Sequence, residues 1–177
     1  LAYNPYRKKL WQGFLPSEAE EILEGKTLAV TNDTSLSPHT IGVIGHPYCL
    51  YDSFFSLNLL ERLQKENFSV LTPEMLKEDE IAAETNLSKP IFWTLGKRIL
   101  GSARVFCKRE VKGLIHVTAM ACGPESLIGE LVRRESHRRR LPLLQLHLDE
   151  HSGEAGLATR VEAFLDLLTR KGRIGCV

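Results

Sequence analysis

The sequence has no run of the about 18 apolar residues that a helix needs to cross a bilayer. Its first residues also lack the charged, apolar and small-residue succession of a signal peptide. A soluble, cytoplasmic protein is the expectation. An excess of one charge is missing as well: 23 Lys and Arg oppose 22 Asp and Glu, leaving +1. Without a basic field, neither nucleic acid nor an anionic membrane is an expected partner. The run Ser136-His137-Arg138-Arg139-Arg140 is the local exception, and basic residues at a helix end serve the helix dipole and stay solvated. Cysteines are few. Cys49, Cys107, Cys122 and Cys176 form no CxxC and no Cys/His pair at zinc-finger spacing, which argues against a self-contained metal site. Disulfides are not expected in a cytosolic chain. A GxGxxG turn is absent too: Gly42 and Gly45 fall in or at the end of an apolar strand, which counts against a dinucleotide.

What is present fits one domain, since 177 residues with 43% hydrophobic content can bury a core of ordinary size. Residues 1–38 are poorly patterned, with an acidic helix expected from Pro16 to Glu24 and a polar run from Thr31 to Pro38, and read as a linker or docking arm. The opening at Leu1 reads as mid-protein sequence, so the chain is expected to be a piece of something longer. Residues 39–177 alternate strand and helix signals. Thr40 to Gly45, closed by His46-Pro47, is an apolar run suited to a buried parallel strand. A helix capped by Ser53 is expected next, with Leu57, Leu60 and Leu63 on one face and Asn67 at its stop. Phe68 to Leu71 is a second strand. The polar segment Lys77 to Lys89 leads to Pro90-Ile91-Phe92-Trp93 and a helix whose core face holds Ile99, Leu100, Ala103, Phe106 and Cys107.

A third strand runs from Gly113 to Ala121. The helix after it opens at Pro124, with Leu127, Ile128, Leu131 and Val132 on its buried stripe. Leu143 to Leu148 reads as an edge strand. Leu157, Val161, Phe164, Leu165 and Leu168 then mark the clearest helix of the chain. Alternating β and α units with short connections predict a three-layer, doubly wound parallel sheet of about four strands, flavodoxin-like or Rossmann-like.

In such sheets reactive residues gather at the carboxyl edge. Three strand ends carry polar residues there: His46-Pro47-Tyr48, Cys122-Gly123-Pro124-Glu125-Ser126 and Asp149-Glu150-His151. Cys122 immediately precedes a helix, whose unpaired N–H groups and dipole favour a thiolate, the form a metal or a nucleophile requires. One cysteine cannot hold an iron–sulfur cluster, which takes about four ligands. Cys107 and Cys176 read as structural, so any cluster must draw ligands from outside this domain.

The stretches Val111 to Ile115, Cys122-Gly123-Pro124-Glu125-Ser126, Pro142-Leu143-Leu144, Asp149-Glu150-His151 and Thr159 to Phe164 resemble the C-terminal part of the CoA enzyme activase-related proteins. These are relatives of the 2-hydroxyacyl-CoA dehydratase D-component. Gly45-His46-Pro47-Tyr48 with Tyr51-Asp52 is similar to the same group. The likeness spans about residues 40 to 171. It implies that Cys122 is one ligand of an oxygen-sensitive iron–sulfur cluster in the full-length protein. A preceding domain would supply further cysteines, and an ATP-hydrolysing activator would supply low-potential electrons. The family's pattern has Asn at the position of Cys49, so Cys49 is either idiosyncratic or an extra thiol, and it is the weaker metal-ligand candidate.

His46 is the candidate catalytic residue, able to donate a hydrogen bond to a cluster, a carbonyl or a phosphate. Glu125, Ser126 and Arg160 are weaker cofactor-binding candidates. Glu125 and Ser126 suit a helix start, and Arg160 suits an ion pair with Glu125 or Asp149 or else a ligand phosphate. His116 and His147 fall inside strands and read as hydrogen-bonded scaffold. Three functions compete: a cluster domain of a redox protein, a non-catalytic binding or assembly module, and a hydrolase or transferase with Cys122 as nucleophile and His46 as base.

Overall fold

A computed structural model describes residues 3–27, 39–86, 91–119, 123–149 and 153–171. Four strands, β1 (Thr40–Gly45), β2 (Ser69–Leu71), β3 (Gly113–Ala119) and β4 (Leu143–Leu148), form one sheet in the order β2-β1-β3-β4. Every pairing is parallel, with Ile44 opposite His116 and His116 opposite Gln145. The apolar runs of β1 and β3 are buried almost throughout, as befits parallel strands covered on both faces.

The helices among the described residues are α1 (Tyr3–Trp11), α2 (Pro16–Leu23), α3 (Pro47–Tyr51), α4 (Leu59–Lys65), α5 (Glu78–Ala83), α6 (Thr94–Lys108), α7 (Gly123–Arg138) and α8 (Glu154–Lys171). Glycines show which face each covers. A Cβ on Gly42 would meet Phe106 of α6 at 2.6 Å, and one on Gly113 would meet Phe164 of α8 at 2.9 Å. Side chains alternate between the faces of a strand, so α6 and α7 cover one face and α3 and α8 the other. A cavity of about 310 Å³ lined by Asn58, Arg62, Glu154 and Val161 places α4 beside α8. The result is the expected three-layer, doubly wound architecture. No helix among the described residues is long and apolar enough to cross a membrane.

Several element boundaries differ from the sequence expectation. The helix predicted from Ser53 begins only at Leu59, as α4, and a separate short helix, α3, precedes Ser53. Between them Leu57 and Asn58 adopt left-handed backbone, at φ 51° and 57°, and Asn58 rather than Ser53 precedes α4. Arg62 fixes this bend by donating to the Leu57 carbonyl at 3.1 Å. Asn67 does end α4, at φ 61°. The polar stretch after Lys77 contains α5, on which Ile81 alone is buried. On α7 Ile128 and Val132 are buried, but Leu127 is 52% exposed and does not belong to the buried stripe.

The N-terminal residues 3–27 pack on the domain. Leu10, Phe14 and Ala19 form a small core of their own, while Leu15 joins the main one. Arg7 pairs with Glu78 at 3.0 Å, and Arg98 of α6 holds the same carboxylate at 2.5 Å. Tyr51 donates to Glu74, next to the same network. The polar run 31–38 lies outside the described residues.

Candidate functional site

The chain leaves β1 towards one face of the sheet and β3 towards the other, and these two strands are neighbours. This is a topological switch point, where the two connections diverge and leave a crevice at the carboxyl edge. His46 stands there. Its backbone is extended, and its carbonyl accepts from the N–H groups of Cys49 at 2.9 Å and Leu50 at 3.2 Å. Pro47 fits the first turn of α3, where no N–H partner is needed.

The His46 ring is clamped from two sides. It stacks on Tyr48 with centroids 5.5 Å apart and planes 17° from parallel. Its Nε2 lies 3.2 Å from Oε1 of Glu125, in the first turn of α7. Glu125 is only 3% exposed. A carboxylate here complements the positive end of α7 and stands within ion-pair distance of the imidazole. The site thus couples the start of α3 to the start of α7 through one buried pair. Tyr48 in turn meets Phe55 edge to face at 5.8 Å, and Phe55 is fixed by its N–H donating to Asp52 Oδ1 at 2.8 Å.

Two of the sequence candidates therefore meet, His46 and Glu125. Ser126 is exposed on the following position of α7. Arg160 is not at this site. Instead of pairing with Glu125 or Asp149, it donates to the Gln145 carbonyl at 2.6 Å, on β4. Its position on α8 points it at the sheet margin, and Glu125 is already engaged by His46. Asp149 is half-buried at the end of β4. Cys122, Glu150, His151 and Cys176 lie outside the described residues.

Both cysteines among the described residues are buried. Cys49 is fully buried and Cys107 nearly so. Desolvation pushes both thiols up to about 11, so in the absence of a metal both are neutral at neutral pH. Among the described residues, no group of three or more His, Cys, Asp and Glu side chains could hold a metal ion.

Beneath the pair lies a polar layer that sequence reasoning treated as scaffold. His147 behaves as expected, with Nδ1 at 2.7 Å from the Thr118 hydroxyl. His116 does not: it is fully buried, and neither ring nitrogen has a hydrogen-bond partner among the described residues. Burial first, then His147 and His46, lower its pKa to about 4. The signal that could have revealed it is a histidine in the middle of an otherwise apolar strand, opposite a helix carrying Gly129.

Fold and site define a doubly wound α/β domain with a histidine–carboxylate pair at its switch point. No protein-family model matches the chain, and no curated protein matches it either.

Proposed function

We propose that this chain is a domain of an iron–sulfur redox protein and works through the carboxyl edge of its sheet, without catalysing a reaction alone. Cys122, the residue immediately before α7, contributes one thiolate to an oxygen-sensitive cluster. The remaining ligands come from a preceding domain, and an ATP-hydrolysing partner provides low-potential electrons. The observation that carries this reading is the pairing of His46 with the buried Glu125 at 3.2 Å. It puts a fixed imidazole at the switch point, on the edge where the β3 to α7 connection carries Cys122. The likeness to the CoA enzyme activase-related proteins supports the same assignment.

A second reading is a binding or assembly module that holds no metal. The exposed aromatics Phe54, Phe92 and Trp93, at 89%, 85% and 46%, favour it, since large exposed aromatics are anchors of protein contacts.

The deciding experiment is anaerobic purification of the longest natural form of the protein, followed by iron and acid-labile sulfide analysis beside a Cys122→Ala variant. Near-stoichiometric iron and sulfide that the substitution removes is the expected result. A colourless, metal-free parent protein would overturn the redox reading and leave the assembly module in its place.

A further inference from the structure

Helix α7 ends at the amino edge of the sheet, opposite the His46 site, and its last turn opens into the basic run of residues 136–140. Backbone N–H groups close the helix there. Arg139 donates to the Glu135 carbonyl at 3.1 Å, Arg140 to that of His137 at 3.0 Å and Leu141 to that of Ser136 at 2.9 Å. These carbonyls therefore have partners without any guanidinium.

Charge along α7 is unevenly matched. Glu130 is held by Arg133 and Arg134. Glu135 alone faces three guanidiniums, Arg138 at 2.5 Å, Arg139 at 3.5 Å and Arg104 of α6 at 3.7 Å. The side chains of His137 and Arg140 have no hydrogen-bond or ion-pair partner among the described residues.

His137, Arg138 and Arg140 line an open cavity of about 540 Å³ together with Leu141 and Pro142, and no carboxylate among the described residues lines it. Its apolar part is anchored. Ser136 Oγ donates to the Leu141 carbonyl at 2.5 Å, and the Pro142 carbonyl accepts from the Leu114 N–H of β3 at 2.8 Å. Arg140 itself has left-handed backbone at φ 55°, a position that favours glycine at a helix end. An arginine there carries a conformational cost and brings a cation to the cavity.

We propose that this cavity binds a small molecule through a phosphate or diphosphate group. The Arg140 guanidinium offers parallel N–H donors that match phosphate oxygens. His137 adds a ring N–H in either tautomer, and Arg138 adds charge while shared with Glu135. Leu141 and Pro142 give the rest of the ligand an apolar contact. The volume lies within the about 300–1,000 Å³ of small-molecule sites. A cavity bounded by one helix end and the two residues after it favours a compact ligand over an extended acidic chain. The site lies at the opposite edge from His46 and Glu125, so it stands or falls independently of the iron–sulfur reading.

The test is calorimetric titration of the whole 177-residue chain with sodium pyrophosphate at about 0.15 M salt, beside Arg140→Gly and Arg133→Gln. Glycine suits the left-handed position, so Arg140→Gly keeps the helix end and removes the guanidinium. It should weaken binding about tenfold, as loss of a charged hydrogen bond does. Arg133→Gln removes the same charge from a side chain that Glu130 holds away from the cavity, and should leave the affinity within about twofold of wild type. No saturable binding, equal affinity for wild type and Arg140→Gly, or an equal loss in both variants overturns the site. A poly-glutamate peptide that binds more tightly than pyrophosphate overturns the phosphate assignment in favour of an acidic partner chain.

Discussion

Gly45 lies against the backbone of Val117: a Cβ at Gly45 would stand 2.5 Å from the Val117 carbonyl oxygen and 3.2 Å from Leu50. The obstacle is main chain and cannot rotate away. Gly45→Ala should therefore push β1 from β3 at the residue before His46, costing about 1–3 kcal/mol as overpacking does. Gly156→Ala is the control, since nothing lies within 4 Å of its added Cβ and alanine is the better helix former by roughly 0.5–1 kcal/mol. Urea unfolding of both variants measures the contrast. Equal stability for Gly45→Ala and wild type would refute the close approach.

The buried thiols give a chemical prediction. With Cys49 and Cys107 held near 11 by desolvation, neither should react with an alkylating reagent at neutral pH while the chain is folded. A Cys49→Ser, Cys107→Ser double variant should show the same number of fast-reacting thiols as wild type, counted by mass spectrometry. Denaturant should then expose two additional thiols in the wild type alone.

The arm of residues 3–27 is fastened by Glu78, which receives both Arg7 and Arg98. Those arginines also hold its pKa below the ordinary carboxylate value, against a rise from desolvation. Glu78→Gln keeps the shape and removes the charge, so the arm should open more often. Trypsin should cleave after Lys26 faster than in wild type, and added salt should narrow the difference, as for any half-exposed pair. Unchanged cleavage would mean that Leu15 and the small core around Leu10 hold the arm without help.

Removing Phe106 tests the central layer. Its ring is fully buried and fills the space that Gly42 leaves open on β1. Phe106→Ala should cost about 3–5 kcal/mol, read as a lower urea midpoint with little change in slope.

How much of this was legible in the sequence depends on where each signal resides. The strands were readable because buried parallel strands are continuous apolar runs, and α8 because Leu157, Val161, Phe164, Leu165 and Leu168 carry its whole buried face. Helix α5 was hidden: Glu78, Asp79 and Glu80 crowd its first turn and only Ile81 is buried. The start of α4 was misplaced because two consecutive left-handed residues, Leu57 and Asn58, interrupt a leucine pattern that looks helical throughout. At the site, His46 and Glu125 were each recognisable as edge residues. Their pairing was not, because it depends on how the turns after β1 and β3 approach each other in space. Arg160 carried the opposite lesson. A guanidinium expected to reach Glu125 or Asp149 meets the Gln145 backbone carbonyl instead.

That carbonyl gives the Arg160 contact a role of its own. An outermost strand offers unpaired backbone groups to any extended chain that passes, and β4 is the longer of the two strands that close the sheet. At the opposite margin β2 spans only Ser69–Leu71, too short to template much pairing. On β4 the guanidinium at 2.6 Å occupies the Gln145 acceptor, and a charge beside an outer strand deters a second strand from docking. With Arg160 in place, a strand approaching that margin meets a charge and one fewer open acceptor.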